Sequence, residues 1–282
     1  MYPYDKTDNK ILMQASKLLK SLQTKHVGKR VMWFKKLSST QEFAKWFISN
    51  NSISFANGYV IISNSQHDGL GRFGNRWISP RGGIWLSMIL RSGLHPSRIM
   101  LFSYCASLAV SEAIEKCTGI QSELKWPNDI LIKGRKVSGI LVDASVESES
   151  IENLVIGIGV NANVKVAQIE GKLVDTDYPY PITSLQEQLG RSCDKLNLIR
   201  YILQIFDELY SEIEADNTYL ILDKWKKRAA PIISKSVQIS CEKEQYSAKV
   251  VNLEEDGSLV VSRQGNRIER IVSSHYHVHV TG

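Results

Sequence analysis

Apolar residues recur at spacings of three and four through residues 8–24, at Ile11, Leu12, Ala15, Leu18, Leu19 and Leu22, which predicts an amphipathic helix. A strand is predicted at 31–35. Ser39-Thr40-Gln41-Glu42 then has the form of a capping box, opening a helix whose buried side is Phe43, Trp46 and Phe47. Strands follow at 59–63 and 84–90. Ser97 is placed to cap a long helix that runs to Cys117 and stops at Gly119. A hairpin at 130–142 and a strand at 154–160 come next, then helices at 183–189, 196–213 and 219–228. Past a boundary near Ala230-Pro231 the period changes to two, with short strands at 237–241, 246–251, 259–262, 268–272 and 276–280. Glu255-Asp256-Gly257 and Gln264-Gly265-Asn266 mark hairpins between them. The whole reads as an α+β protein: a domain of helices and strands with one N-terminal helix over 1–230, then a five-stranded unit of small-barrel size over 231–282.

Composition narrows this only a little. A chain of 282 residues can bury one large core and a small one. Cys105, Cys117, Cys193 and Cys241 are scattered without a C-x-x-C pair, which argues against a disulfide framework or a structural zinc site. No run of eighteen apolar residues appears, and the opening Met1-Tyr2-Pro3-Tyr4-Asp5 has no signal-peptide character, so no membrane segment and a cytoplasmic location are expected. The net charge of +6 is spread along the chain, with a thickening at Lys25, Lys29, Arg30, Lys35 and Lys36. Anionic substrates or an acidic partner protein suit that sign, and a nucleic-acid surface is the alternative.

The candidate chemistry begins at Gln66-His-Asp-Gly-Leu-Gly-Arg-Phe-Gly-Asn-Arg-Trp77, where Gly69, Gly71 and Gly74 spell G-x-G-x-x-G. A dinucleotide site would need a helix directly after this loop, but a second strand follows. The loop must therefore bind by its own means. Its glycines let the backbone approach a ligand closely, Arg72 and Arg76 supply fixed charge, and Trp77 offers a flat face. A solvated glycine-rich hairpin is the plainer alternative. A protein-kinase loop is excluded by the lack of H-R-D and D-F-G segments. The second signature is Lys125-Trp126-Pro127-Asn128-Asp129, with Lys133-Gly-Arg-Lys136 and Gly139 after a short strand. Asn128 and Asp129 put a carboxamide and a carboxylate at a strand mouth, where a carboxylate can hold Mg²⁺ or a sugar hydroxyl. Lys136 opens the next strand with a compact charge suited to phosphate or carboxylate. An Asn-Asp turn with a surface lysine would look the same.

Taken together and in order, these motifs resemble those of the biotin protein ligases. The glycine stretch matches at Gly69-Leu-Gly-Arg-Phe-Gly-Asn-Arg-Trp-Ile-Ser-Pro80, followed by Gly82-Gly83-Ile-Trp-Leu-Ser87. K-W-P-N-D matches at Lys125 to Asp129, R-K-x-x-G-[IV]-L-V at Arg135 to Val142, with Ser38-Ser39-Thr40 upstream and Gly157-Ile-Gly-Val-Asn161 downstream. The resemblance spans about residues 28–282 and implies an α+β fold, a mixed-sheet catalytic domain of the biotin/lipoate ligase type with a small C-terminal SH3-like β-barrel as its cap. It implies ATP-dependent attachment of biotin to a lysine of a biotin carboxyl carrier protein, through biotinyl-5′-AMP, with Mg²⁺ accompanying ATP. Arg72, Lys136 and Asp129 take the catalytic roles, Asp129 positioning ribose or metal or orienting the attacking lysine. Ser39, Thr40, Gln66, Gly69, Arg72, Lys136, Gly139 and Ile140 correspond to biotin contacts. Arg72, Arg76, Trp77, Asn128, Lys136 and Asn161 correspond to ATP contacts, with Trp77 stacked on adenine. Ser39 also caps a helix on this reading.

Some members carry an arginine where this chain has Leu70, so Arg72 is expected to matter more here and biotin affinity to be weaker. Bifunctional members bind DNA through an N-terminal winged helix. Here the first strand starts near Arg30 with room for one helix, so sequence-specific DNA binding is not expected. A homodimer through the catalytic sheet is suggested by the same resemblance. A lipoate ligase and a non-catalytic biotin-binding protein are the rival functions. One motif stands apart: His275, His277 and His279 alternate on a strand, where they could bind zinc or copper, line a solvated edge or form an interface.

Overall fold

The computed structural model describes residues 9–51, 56–172, 181–229, 232–240, 244–254, 256–263, 265, 267–272 and 277–280. Strands β1 (Arg30–Phe34), β2 (Tyr59–Ser63), β3 (Ile84–Leu90), β4 (Glu123–Lys125), β5 (Asp129–Ile132), β6 (Arg135–Glu147) and β7 (Ser150–Val160) form one sheet, ordered β1-β2-β3-β7-β6-β5-β4. The β1–β2 pair is parallel and the others antiparallel, as a mixed sheet requires. Helices α1 (Asn9–Ser21), α3 (Ile99–Thr118), α6 (Lys195–Glu214) and α7 (Thr218–Arg228) share one continuous core with one face of this sheet, built on residues such as Leu18, Leu86, Phe102, Ile158, Phe206 and Trp225. The other face carries α2 (Thr40–Ser49), whose Phe43 and Phe47 pack with Phe34, Tyr59, Ile61 and Val155. Two short helices, α4 (Ala167–Glu170) and α5 (Leu185–Leu189), complete this part. Alternation does the sorting: Ile156, Ile158 and Val160 of β7 enter the main core, and the residues between them face the other way.

Several expected elements shift. Helix α3 starts at Ile99 and lacks a side-chain cap; Ser97 lies in a preceding 3₁₀ turn, where its backbone N–H donates to the His95 ring. The structure thus corrects the capping role given to Ser97, because Pro96 starts a tighter turn before the α-helix can form. Gly119 does stop that helix, with φ of 74°. In α1 the buried residues are Ile11, Ala15 and Leu18, while Leu12 and Leu19 are exposed, so the apolar stripe is narrower than the spacing suggests. The capping box is half formed: Ser39 Oγ accepts from the Gln41 and Glu42 amides, but the Glu42 carboxylate pairs with Lys45 Nζ at 2.8 Å. The β5–β6 turn places Lys133 and Gly134 at φ of 51° and 71°, a two-residue hairpin of the type whose twist suits the flanking strands. The three-residue strand β4 and the four-residue helix α4 had no period long enough to announce them.

The second sheet holds β8 (Ser236–Ser240), β9 (Gln245–Leu253), β10 (Leu259–Arg263), β11 (Arg267–Ile271) and β12 (His277–Val280), all antiparallel, in the order β11-β10-β9-β8-β12. Its five strands are those expected; among the described residues no pairing closes β11 onto β12 into a barrel. The Gly257 carbonyl joins the two sheets, accepting from Tyr104 Oη of α3 at 3.1 Å and from Trp126 Nε1 at 2.9 Å. His275 and the Ala230-Pro231 boundary lie outside the described residues, as do the side chains of His277 and His279. No described helix is long and apolar enough to cross a membrane.

One tertiary clamp fixes the entry to β1. Asp207 of α6 is buried and accepts from the backbone amides of Lys25, His26 and Val27 at 2.7, 2.7 and 2.9 Å. Asp207→Ala leaves three donors without an acceptor and is expected to destabilise the fold by about 3 kcal/mol in urea unfolding, given the penalty for each orphaned buried group. Asp207→Asn, which keeps one carbonyl oxygen, should lose less.

Candidate active site

Register brings the motifs together. Lys125 of β4 stands opposite Asp129 of β5, Asp129 opposite Gly139 of β6, and Gly139 opposite Gly159 of β7. All four therefore lie in one row on the face away from the main core. One step along, Leu141 of β6 faces Gly157 of β7, and Gly157 faces Ser87 of β3. Glycine at 139, 157 and 159 leaves a bare backbone floor in the middle of a sheet. A cavity of about 520 Å³ lies over it. A Cβ at any of the three would meet a side chain on the floor: at Gly159 it would collide with the Trp77 indole nitrogen, at Gly157 with the Gln41 carboxamide, and at Gly139 it would press on the Trp77 ring at 3.1 Å.

Trp77 reaches that floor because the glycine loop closes on itself. The Trp77 amide donates to Gly69 O at 2.8 Å and the Gly71 amide to Asn75 O at 2.7 Å. Gly69 must be glycine, since a Cβ there would strike the Trp77 carbonyl. The loop contains a 3₁₀ turn at Arg72–Gly74, with Phe73 exposed at φ of 56°. A non-glycine residue in that region is costly and is held by its neighbours. The Trp77 Nε1 donor is buried and has no acceptor among the described residues. Such a group has a strong demand for a partner, and a ligand acceptor lying on the glycine floor can meet it.

The uncharged end of the cavity is a chain of hydrogen bonds. Thr40 N–H donates to Gln66 Oε1 at 2.7 Å, Gln66 Nε2 to Ser79 Oγ at 2.8 Å, and Ser79 Oγ to Trp77 O at 2.9 Å. Ser87 Oγ lies 2.9 Å from both Thr40 Oγ1 and Gln41 Oε1. Gln41 Nε2 carries the chain on to Val155 O and Asp143 Oδ2. Ser39 Oγ is spent on capping α2. Gln41 and Ser87 were not foreseen as site residues. The usable signal was a serine amid the apolar run of β3 and a glutamine inside the first turn of α2, both fully buried here.

The other end is charged. Asn128 is clipped across the hairpin, its Nδ2 donating to Ile140 O at 2.6 Å while its own carbonyl accepts from Ile140 N–H at 2.9 Å. Its Oδ1 is then free to face Arg72 Nη1, at 3.3 Å. Lys136 Nζ sits 2.7 Å from Asp129 Oδ1, with both side chains largely buried, and 5.1 Å above the Trp77 ring centre. Burial lowers the pKa of Arg72, and the nearby Asp129 charge opposes this. Lys125, also on the cavity wall and 8 % exposed, is pushed down to about 8, by burial first and by the Lys136 charge, against the pull of Asp129. Arg72, Arg76, Lys125 and Lys136 line the cavity against a single carboxylate, Asp129. A space so lined favours a polyanion.

Of the residues singled out in the sequence, Ser39, Thr40, Gln66, Arg72, Arg76, Trp77, Asn128, Asp129, Lys136, Gly139 and Ile140 border this one cavity. The Ile140 side chain itself belongs to the main core, so it backs the floor from beneath. Gly69 and Asn161 are not on the wall. Gly69 shapes the loop, and Asn161 is buried with its Nδ2 donating to Thr183 O at 3.1 Å. Trp77 lies on the glycine floor beside Gly139, the position at which a biotin slot was expected. Lys125 was passed over as part of a motif, and only its register opposite Asp129 reveals its place.

Comparison with known proteins supplies the context. The profile of the biotin/lipoate A/B protein ligase family matches residues 33–161. The chain is 29 % identical over 250 residues to the bifunctional ligase/repressor BirA of Bacillus subtilis, covering 88 % of this chain and 74 % of that protein. It is 28 % identical over 182 residues to the biotin–[acetyl-CoA-carboxylase] ligase of Paracoccus denitrificans, covering 62 % of this chain and 74 % of that one. The fold superposes with a TM-score of 0.71 on the Aquifex aeolicus biotin protein ligase solved in complex with biotin and ATP, at 25 % identity over 90 % of this chain and all of that one. The segment matched by the model of the biotin/lipoate A/B protein ligase family supplies every described wall residue of the cavity except Val278 of β12, so the likeness to that family falls on the candidate site itself.

Proposed function

We propose that this protein is an enzyme that ligates biotin to a lysine of a biotin carboxyl carrier protein, using ATP and passing through biotinyl-5′-AMP. The observation that carries the reading is the juxtaposition, in one cavity, of an uncharged glycine-floored end and an end with four cations. The first suits a neutral bicyclic ring with a few polar contacts from the Thr40–Gln66–Ser87 chain. The second suits a carboxylate and a triphosphate held together against their repulsion. In the first step a biotin carboxylate oxygen attacks the α-phosphorus, the bond to the β-phosphate breaks, and pyrophosphate departs. Lys136 and Arg72 stabilise the charge gathered at those two centres. In the second step the carrier amine, once deprotonated, attacks the activated carbonyl and AMP leaves.

Among the described residues Asp129 is the one carboxylate on the cavity wall, and it is engaged with Lys136. A Mg²⁺ ion would enter with the triphosphate, with Asp129 the residue placed to help hold it, and would supply positive charge at the phosphates. Residues 1–230 form the catalytic unit and 231–282 its SH3-like cap, acting in the cytoplasm, and a homodimer through the catalytic sheet is its assembly. Incubation with ATP, biotin and a carrier domain, followed by avidin blotting, tests the activity. Exchange of labelled pyrophosphate into ATP should respond to biotin and not to lipoate; a response to lipoate alone refutes the substrate assignment.

A further inference from the structure

Lys125 is one of the four cations at the charged end but has been given no step of its own in the reaction, and it is built into the same row. It ends β4, the edge strand, in register with Asp129, which is in register with Gly139. Its side chain is 8 % exposed and lines the cavity. Two strand spacings, about 10 Å, separate it from the Gly139 floor where Trp77 lies. Lys136 is nearer that floor, over the Trp77 ring. Asp129, between the two lysines, has Oδ1 2.7 Å from Lys136 Nζ. One carboxylate thus stands against two ammonium groups, with Arg72 across the cavity at Asn128. Two lysines lining one cavity side by side suit a multiply charged anion.

The position fixes which anion. A nucleotide whose α-phosphate meets the biotin carboxylate beside Lys136 must send its remaining phosphates somewhere, and along the sheet the row of charge continues from Lys136 and Asp129 toward Lys125 of β4. We infer that Lys125 binds the leaving-group end of the nucleotide, its ammonium holding the β- and γ-phosphates of ATP and then the pyrophosphate, while Lys136 and Arg72 act at the reacting centres. This rests on the proposed adenylation. As the α-phosphorus bond to the bridging oxygen breaks, the electron pair stays on pyrophosphate, and Lys125 offsets that charge without gaining or losing a proton.

The test separates the half-reactions. Lys125→Met keeps the apolar stem and removes the charge. It is expected to raise the KM for ATP and the inhibition constant of pyrophosphate by at least about tenfold, the loss of one charge-assisted contact. AMP inhibition, biotin binding and transfer from preformed biotinyl-5′-AMP to the carrier domain should stay near wild type. Lys125→Arg, which keeps the charge and guards against a fold defect in the methionine variant, should hold pyrophosphate more tightly than Lys125→Met. Equal loss of adenylation and transfer in both variants means a structural role and overturns the inference, as does unchanged pyrophosphate inhibition. If the wild-type protein forms no adenylate from biotin and ATP, the parent reading fails first and the inference falls with it.

Discussion

Lys136→Ala is expected to slow adenylate formation by about 10²–10³-fold, the usual consequence of removing a preorganised charge at the centre where charge develops. The same change has a structural cost. Asp129 Oδ1 is buried and has Lys136 Nζ 2.7 Å away, so the truncation leaves a carboxylate without its counter-ion. Breaking a pair of this kind from one side is destabilising by about 3–5 kcal/mol in full burial, and less here because both side chains keep some exposure. The two effects separate cleanly. Lys136→Ala combined with Asp129→Ala should recover much of the lost melting temperature but none of the adenylation rate, read by single-turnover quench. Recovery of the rate in the double variant would show that Lys136 serves only to neutralise Asp129.

Arg72→Gly should damage retention more than chemistry. The guanidinium is the loop's reach across the cavity, 3.3 Å from Asn128 Oδ1 and 4.7 Å over the Phe73 ring. Leu70 offers no second charge in this loop ahead of it. With the tether gone, Trp77 and the 66–77 segment lose their hold on an anionic ligand. A mixed anhydride then meets water and stray amines. The expected outcome is that adenylate still forms, while labelling of bystander albumin rises by about tenfold or more through faster release. Equal retention by wild type and Arg72→Gly, with both measured after rapid quench, removes the lid role whatever the overall rates.

The chemistry of the site was legible early because it sits in contiguous motifs. The glycine loop, Lys125 to Asp129 and Arg135 to Val142 each specify a local conformation that short-range sterics enforce. The same holds for the helices and for the five C-terminal strands, where period and turn residues are local signals. Two departures have equally local causes. Ser97 looked like a cap until Pro96 tightened the turn before it, and β4 is too short to show a period. The place of Asn161 is a long-range matter: its Nδ2 donates to Thr183 O, a partner more than twenty residues away that no pattern announces.

What this sequence determined by itself was therefore the inventory: an α+β chain, two sheets' worth of strands, a loop that cannot hold a pyrophosphate on a helix end, and the residue types for a carboxylate and a triphosphate. What only the tertiary structure decided was adjacency. Strand order and register are long-range choices, made by burying Ile156, Ile158 and Val160 on one face and so turning Gly157 and Gly159 to the other. That choice sets Lys125, Asp129, Gly139 and Gly159 in one row, lays Trp77 on the floor and hangs Trp126 from the Gly257 carbonyl of the second sheet. A period of two tells which residues share a face; it does not tell which strand lies beside which, because that free energy comes from the packing of the whole core.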